Sequence, residues 1–101
     1  MEALKEAGPR GSGHGGETET SMILALRPEL VHTDLLDPDR EDPRTKVEGA
    51  GSYLRFDQLT AHGGNGDPTT ATAEKGQCFF EVCSKEVAET VVAVRAARPF
   101  G

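Results

Sequence analysis

The segment that decides the fold is HGGETETSMILALRPELV, residues 14–31. It sets His14 on a glycine-rich turn and follows it with two carboxylates, Glu17 and Glu19, and an apolar run. Glycines at 15 and 16 reach backbone angles that other residues avoid and let a ligand approach the chain closely. A polar turn held by an apolar helix is typical of the edge of an active site.

The same segment predicts a first helix from about Glu17 to Arg27. Carboxylates in its first turn favour the positive end of the helix dipole. Pro28 ends the helix, because the residue before a proline is pushed out of helical angles. The apolar face consists of Met22, Ile23, Ala25 and Leu26.

A longer helix is predicted from about Thr70 to Arg95, where apolar residues recur at three- and four-residue spacing. This apolar stripe consists of Phe80, Cys83, Val87, Val91 and Val94, with Phe79 and Val82 beside it. We interpret it as the face of an amphipathic helix that packs on a sheet, rather than as a partner groove. Asp67 or Thr69 is expected to cap the helix. Gly76 costs about 1 kcal/mol relative to alanine within a helix, which predicts close approach of another backbone there.

The connection between the two helices has the residues of turns and loops, with a short strand predicted only at Tyr53-Leu54-Arg55-Phe56. A long connection of this kind usually covers a site or forms an interface. The chain is thus divided into four segments: an N-terminal stub with a glycine-rich loop, a motif helix, a loop and a C-terminal helix. Their bounds are residues 1–16, 17–31, 32–69 and 70–98.

Two motifs resemble the C-terminal part of the creatininase (creatinine amidohydrolase) family. The family's H-[AG]-G-x-x-E-T-S-x-x-L-A-L-x-P-x-L-V pattern is met from His14 to Val31, and its A-x-x-E-K-G pattern from Ala71 to Gly76. The resemblance implies an α/β fold, the C-terminal part of a creatininase-like three-layer α/β/α architecture. This chain itself would be mostly two helices, at about 17–27 and 70–95, joined by a long loop with little strand.

The resemblance implies hydrolysis of a C–N bond in an amide, typically a cyclic one. Two divalent metal ions, zinc or manganese, would hold a bridging hydroxide in the complete family enzyme. The resemblance makes His14 the proton shuttle to the amine leaving group, since imidazole exchanges protons near neutral pH. It makes Glu19 the residue that holds the imidazole or the loop in place. The alternatives are a solvated loop histidine and a helix-start carboxylate bonded to backbone amides; Glu17 is interpreted as solvated and His32 as a surface residue.

The metal-binding motifs of the family have no counterpart upstream of His14. His62-Gly63-Gly64-Asn65 repeats part of one of them by letter, but it follows no apolar strand, so we interpret it as an exposed glycine-rich turn. We expect a C-terminal fragment that binds no metal and is inactive alone. Its expected partners are a small-molecule amide in the complete enzyme, and either further copies of the chain or the missing N-terminal half. The alternative is a non-catalytic remnant or assembly subunit that packs on a partner carrying the metal half.

Composition and charge limit the classes of function and of partner that the sequence allows. The chain has 101 residues, room for one small domain, and its 17 acidic and 11 basic residues give a net charge of −6. Phosphate binding needs clustered Lys and Arg, so no nucleic-acid partner is expected. The longest apolar run, residues 22–26, is too short for a bilayer and no signal peptide is visible, so we expect a cytoplasmic protein. Cys78 and Cys83 are too far apart on one helix for a disulfide and are interpreted as packing residues.

Overall fold

The computed structural model of the protein describes residues 13–39 and 54–97. The α-helices in these ranges are α1, Glu17–Leu26; α2, Phe56–Leu59; and α3, Ala73–Ala97. Two short 3-10 turns, Pro28–Leu30 and Thr33–Leu35, follow α1. The predicted N-terminal stub falls mostly outside the described residues, as does Arg98.

Helices α1 and α3 pack against each other, and Gly76 of α3 lies directly on the backbone of α1. A Cβ atom on Gly76 would lie 1.9 Å from the carbonyl oxygen of Ser21. Ser21 is fully buried, and its Oγ accepts a hydrogen bond from Thr72 N at 3.1 Å. Phe79, one turn after Gly76, has no exposed surface and forms the core. The predicted close approach of another backbone at Gly76 is confirmed.

Helix α3 begins at Ala73, later than the predicted Thr70. Thr72 caps it, because the Thr72 Oγ1 accepts a hydrogen bond from Lys75 N at 3.1 Å. The predicted caps, Asp67 or Thr69, bond to each other instead: Asp67 Oδ1 accepts hydrogen bonds from Thr69 N at 3.0 Å and from Thr69 Oγ1 at 2.5 Å. The capping prediction is wrong because Asp67 accepts its hydrogen bonds from Thr69, two residues later in the chain, and so forms a separate turn before the helix.

The buried face of α3 does not coincide with the predicted apolar stripe. Its buried residues are Lys75, Gly76 and Phe79. The end of the stripe, Val87, Val91 and Val94, is 59–62% exposed. Helix α1 covers only the first half of α3, and every residue from 84 to 97 is exposed. Packing of the stripe on a sheet therefore stays a prediction.

The prediction of a strand at residues 53–56 is wrong for residues 54–56, which the structure describes. Phe56 begins α2, Leu54 and Arg55 form no strand, and Tyr53 lies outside the described residues. Gln58 Oε1 accepts a hydrogen bond from Arg55 N at 3.2 Å, which closes the first turn of a helix. Backbone pairing of extended residues in the described ranges is a single bridge, Asp39 with Gly66.

Two predicted exclusions concern the helices. Cys78 and Cys83 are free and half-buried, so the prediction that they form no disulfide is confirmed. Across residues 13–39 and 54–97, no helix is long and apolar enough to cross a membrane.

Candidate active site

His14 lies on a tight turn directly before α1. A hydrogen bond from Gly16 N to Gly13 O at 2.9 Å closes this turn. Gly15 has a φ of +66°, the left-handed region that favours glycine. The side chain of Glu19 reaches back from α1, and its Oε2 accepts a hydrogen bond from Gly15 N at 2.6 Å. Glu19 thus holds the loop backbone, while its part in catalysis stays a prediction.

A second turn, residues 61–66, lies beside the His14 turn, and we call it the glycine turn. Asn65 N donates a hydrogen bond to His14 O at 2.7 Å. His62 and Gly63 are exposed but Gly64 and Asn65 are half-buried, so the predicted exposure of this glycine-rich turn is confirmed only for the first two of these residues. Sequence reasoning did not find its place beside His14, because that neighbour is far away in the chain and no local pattern marks the contact.

Asp39 fastens the glycine turn. Its Oδ1 accepts a hydrogen bond from Ala61 N at 3.1 Å, and its Oδ2 accepts from His62 N at 2.7 Å and from Gly64 N at 3.1 Å. The backbones of Asp39 and Gly66 also exchange two hydrogen bonds, at 2.9 and 2.6 Å. Desolvation acts to raise the pKa of Asp39, but the three backbone donors and nearby His62 outweigh it and hold that pKa below 3.8. Sequence reasoning missed Asp39, which stands in a loop without a motif.

We expect the glycine turn to loosen only in acid. Because the pKa of Asp39 is lower in the folded than in the unfolded chain, its stabilisation is complete above the unfolded value, roughly 3.9, and is lost as the pH falls through the folded value. The backbone amide shifts of His62 and Gly64, followed by NMR, should titrate with a midpoint below the ordinary pKa of aspartate. A midpoint at or above the ordinary aspartate value would contradict this expectation.

The two turns line an open cavity of about 610 Å³, a volume suited to a small ligand. The titratable side chains in its lining are His14, Asp37, Asp39 and His62, and the remaining lining residues are apolar or glycine. The ring of Phe56 from α2 lies edge-on to the His14 imidazole, with centroids 5.2 Å apart and planes at 65°. His14 remains exposed, so its imidazole is held at one side and open to a ligand at the other.

An apolar cavity of about 470 Å³ continues from the first one. Gly15, Leu35 and Leu36 line both cavities. Ile23 and Leu30 add apolar surface to the second. A ligand at His14 can therefore extend an apolar group along α1. His32 is exposed, as predicted, and lies at the border of this second cavity.

Glu17 is not solvated, and the prediction that it is solvated is wrong. Its side chain is completely buried, and its carboxylate accepts hydrogen bonds from Thr70 Oγ1 and, at 3.3 Å, from Lys75 Nζ. Lys75 Nζ also donates to Thr70 O at 2.7 Å. The start of α3 covers the first turn of α1, which tertiary packing alone determines. This ion pair joins the two sequence motifs in space.

The described residues do not form a metal site. His14, Asp39 and His62 line one cavity, yet no group of three or more His, Cys, Asp or Glu side chains in residues 13–39 and 54–97 could hold a metal ion. The carboxylate of Asp39 is already engaged by three backbone donors. A metal ion bound near this cavity would need ligands other than these described side chains.

The fold and the motifs agree with proteins of known family. The family model Creatininase, described as creatinine amidohydrolase, matches residues 1–91. Two mycofactocin precursor peptide peptidases are similar: that of Mycobacterium ulcerans is 37% identical over 70 residues, and that of Mycolicibacterium smegmatis 36% over 75 residues. These matches cover 69% and 71% of this chain, and 28% and 29% of those proteins. A crystal structure of a protein assigned as a creatinine amidohydrolase, from Bacteroides fragilis, is similar with a TM-score of 0.63 and 31% identity; the match covers 76% of this chain and 32% of that one.

The helices, the glycine turns and this structural likeness define a part of a creatininase-like α/β fold, as predicted. The chain belongs to the creatininase family. It spans less than a third of the length of the curated relatives that it matches.

Proposed function

We propose that this chain supplies the histidine-bearing part of a metal-dependent amide hydrolase of the creatininase type. The observation that carries the proposal is the position of His14, whose exposed imidazole lines a cavity of about 610 Å³. A cyclic amide or a related C–N bond is the proposed substrate. Expulsion of an amine from such a bond requires a proton, and an imidazole can deliver one near neutral pH.

His14 is the proposed catalytic residue and Glu19 its positioning residue. The Glu19 carboxylate accepts a hydrogen bond from Gly15 N at 2.6 Å, and the Asn65 amide donates one to His14 O at 2.7 Å, so the peptide group that follows the imidazole is held at both its N–H and its C=O. The edge-on ring of Phe56 limits the rotation of the imidazole. A histidine held in this way loses little conformational entropy when it meets the substrate.

The metal ions belong to the complete enzyme in this proposal. Two divalent ions, zinc or manganese, are expected there, and they would polarise the amide carbonyl. The described side chains do not fit such a centre, so its ligands must come from other residues or another chain. This chain alone is therefore expected to be inactive.

The two adjoining cavities support the proposed substrate class. An amide placed at His14 has apolar surface beside it, from Ile23, Leu30 and Leu35. Such surface suits an amide that carries an apolar group, whether a cyclic compound or a peptide. The relatives named peptide peptidases and the one assigned as a creatinine amidohydrolase support the general class, hydrolysis of amides.

A second candidate function is a non-catalytic assembly subunit. The exposed residues Val87, Val91 and Val94 favour it, because a helix rarely leaves such a row in water. The occupant would be a partner that carries the metal half, or further copies of the chain. To separate the candidates, the chain is mixed with the metal-bearing half of a family member and amide hydrolysis is measured; assembly without turnover supports the second.

In an active reconstituted enzyme, His14→Ala should lower turnover by about a hundredfold or more, because the leaving amine loses its proton donor. The measurement is ring opening of creatinine and amine release from short peptides, with metal content determined on the same samples. The control is Lys85→Ala, an exposed substitution on α3. Loss of bound metal in His14→Ala would make His14 a ligand and contradict its role as a proton shuttle.

A further inference from the structure

We propose that Asp39 is a positioning residue for His14, which it holds through the glycine turn. Asp39 lies between α1 and α2 in sequence and is half-buried against residues 61–66. Nothing in its neighbourhood of the sequence marks it as functional. Its contacts, however, hold both neighbours of Asn65, and the Asn65 amide bonds to the backbone of His14.

The glycine turn depends on Asp39 for its hydrogen bonds. The amides of Ala61, His62 and Gly64 all donate to the Asp39 carboxylate, at 2.7–3.1 Å. Gly63 N donates to Thr60 Oγ1 at 3.0 Å. One carboxylate thus organises three of the four successive amides, and the turn has no helix or strand ladder of its own to replace it.

Asp39 also bonds to both neighbours of Asn65, the residue that binds the backbone of His14. Asn65 donates its amide to His14 O at 2.7 Å, and the residues on either side of it are both tied to Asp39. Gly64 N donates to the Asp39 carboxylate, and Gly66 exchanges two backbone hydrogen bonds with Asp39. Contacts on both sides of Asn65 therefore hold its amide toward His14. Loss of the Asp39 carboxylate removes the contact at Gly64 and leaves the backbone contact at Gly66.

Both oxygens of the Asp39 side chain are used. Oδ1 binds one amide and Oδ2 binds two. An asparagine of the same size offers one acceptor and turns an N–H₂ group toward N–H donors. Asp39→Asn therefore tests the carboxylate without a change in volume. Asp34→Asn is the matched control, since Asp34 is exposed in the same connection.

The experiment uses the isotopically labelled full chain and two NMR readouts. The first is hydrogen exchange of the backbone amides of residues 61–66. The second is the chemical shift of the His14 imidazole protons, which the ring of Phe56 displaces at a centroid distance of 5.2 Å. The variant Phe56→Leu gives the shift without that ring. The role of Asp39 rests on the proposed function of His14, but neither readout requires amide hydrolysis, so the two can fail separately.

In Asp39→Asn and Asp39→Ala, the Asn65 amide should exchange about tenfold faster or more, and the His14 shifts should move toward those of Phe56→Leu. Exchange around Phe79 should match that of Asp34→Asn, since the packing of α1 on α3 is intact. Unchanged His14 shifts beside a loosened glycine turn would overturn the proposal. So would equal loss of protection around Phe79, in either variant, because Asp39 would then support the whole fold and not His14 in particular.

Discussion

Gly76→Ala should destabilise the chain by about 3 kcal/mol, as overpacking of a close contact does. The added Cβ would lie 1.9 Å from the carbonyl oxygen of Ser21, 2.5 Å from its carbonyl carbon and 3.0 Å from the Cβ of Ala25. The two nearest atoms belong to the backbone of α1, so no side-chain rotation relieves the clash. Helix α3 must move away from α1, which uncovers Phe79.

Helix propensity predicts the opposite sign for this substitution. Alanine is favoured over glycine by about 1 kcal/mol inside a helix, so a free helix would gain stability. Urea unfolding followed by circular dichroism decides between the two effects. Gly64→Ala is the control, because its Cβ would meet nothing nearer than 3.5 Å. A neutral or stabilised Gly76→Ala would mean that the two helices do not approach as closely as described.

The helices could be predicted from sequence because their signals are local. Pro28 and the apolar run before it give the end of α1 to within a residue, and the spacing of apolar residues gives the existence of α3. The glycine near the start of α3 predicts a close neighbour, since it would otherwise be a costly residue inside a helix. The neighbour itself, the carbonyl of Ser21, is visible only in the packed structure.

The features that the sequence did not predict depend on contacts between residues that are distant in the chain. Glu17 has the same local surroundings as Glu19, a carboxylate in the first turn of a helix, yet one is completely buried and the other is exposed. Asp39 gains its importance from amides more than twenty residues later in the chain. The apolar stripe of α3 predicted a helix correctly but not its buried face. That face, which carries Lys75 and Phe79, is determined by the position of α1 in the packed structure.

Lys75→Met should cost about 3–5 kcal/mol, because it leaves the buried carboxylate of Glu17 without its ammonium partner. The side chains of Glu17 and Lys75 are 0% and 10% exposed, and their charged atoms lie 3.3 Å apart. At this depth, water does not replace the lost partner. The contact also joins the first turn of α1 to the start of α3, so its loss should loosen the turn that carries His14.

The double variant Glu17→Leu with Lys75→Met tests whether the uncompensated charge is the cause. Removal of both charges should cost less than the sum of the single substitutions, since neither ion is then buried alone. Lys85→Met is the control: it breaks an ion pair with Glu89 at 3.5 Å whose side chains are 76% and 64% exposed. That substitution should change the free energy of unfolding by less than about 1 kcal/mol. If Lys75→Met were equally mild, Glu17 would reach water in solution, and the ion pair could not be what holds the two motifs together.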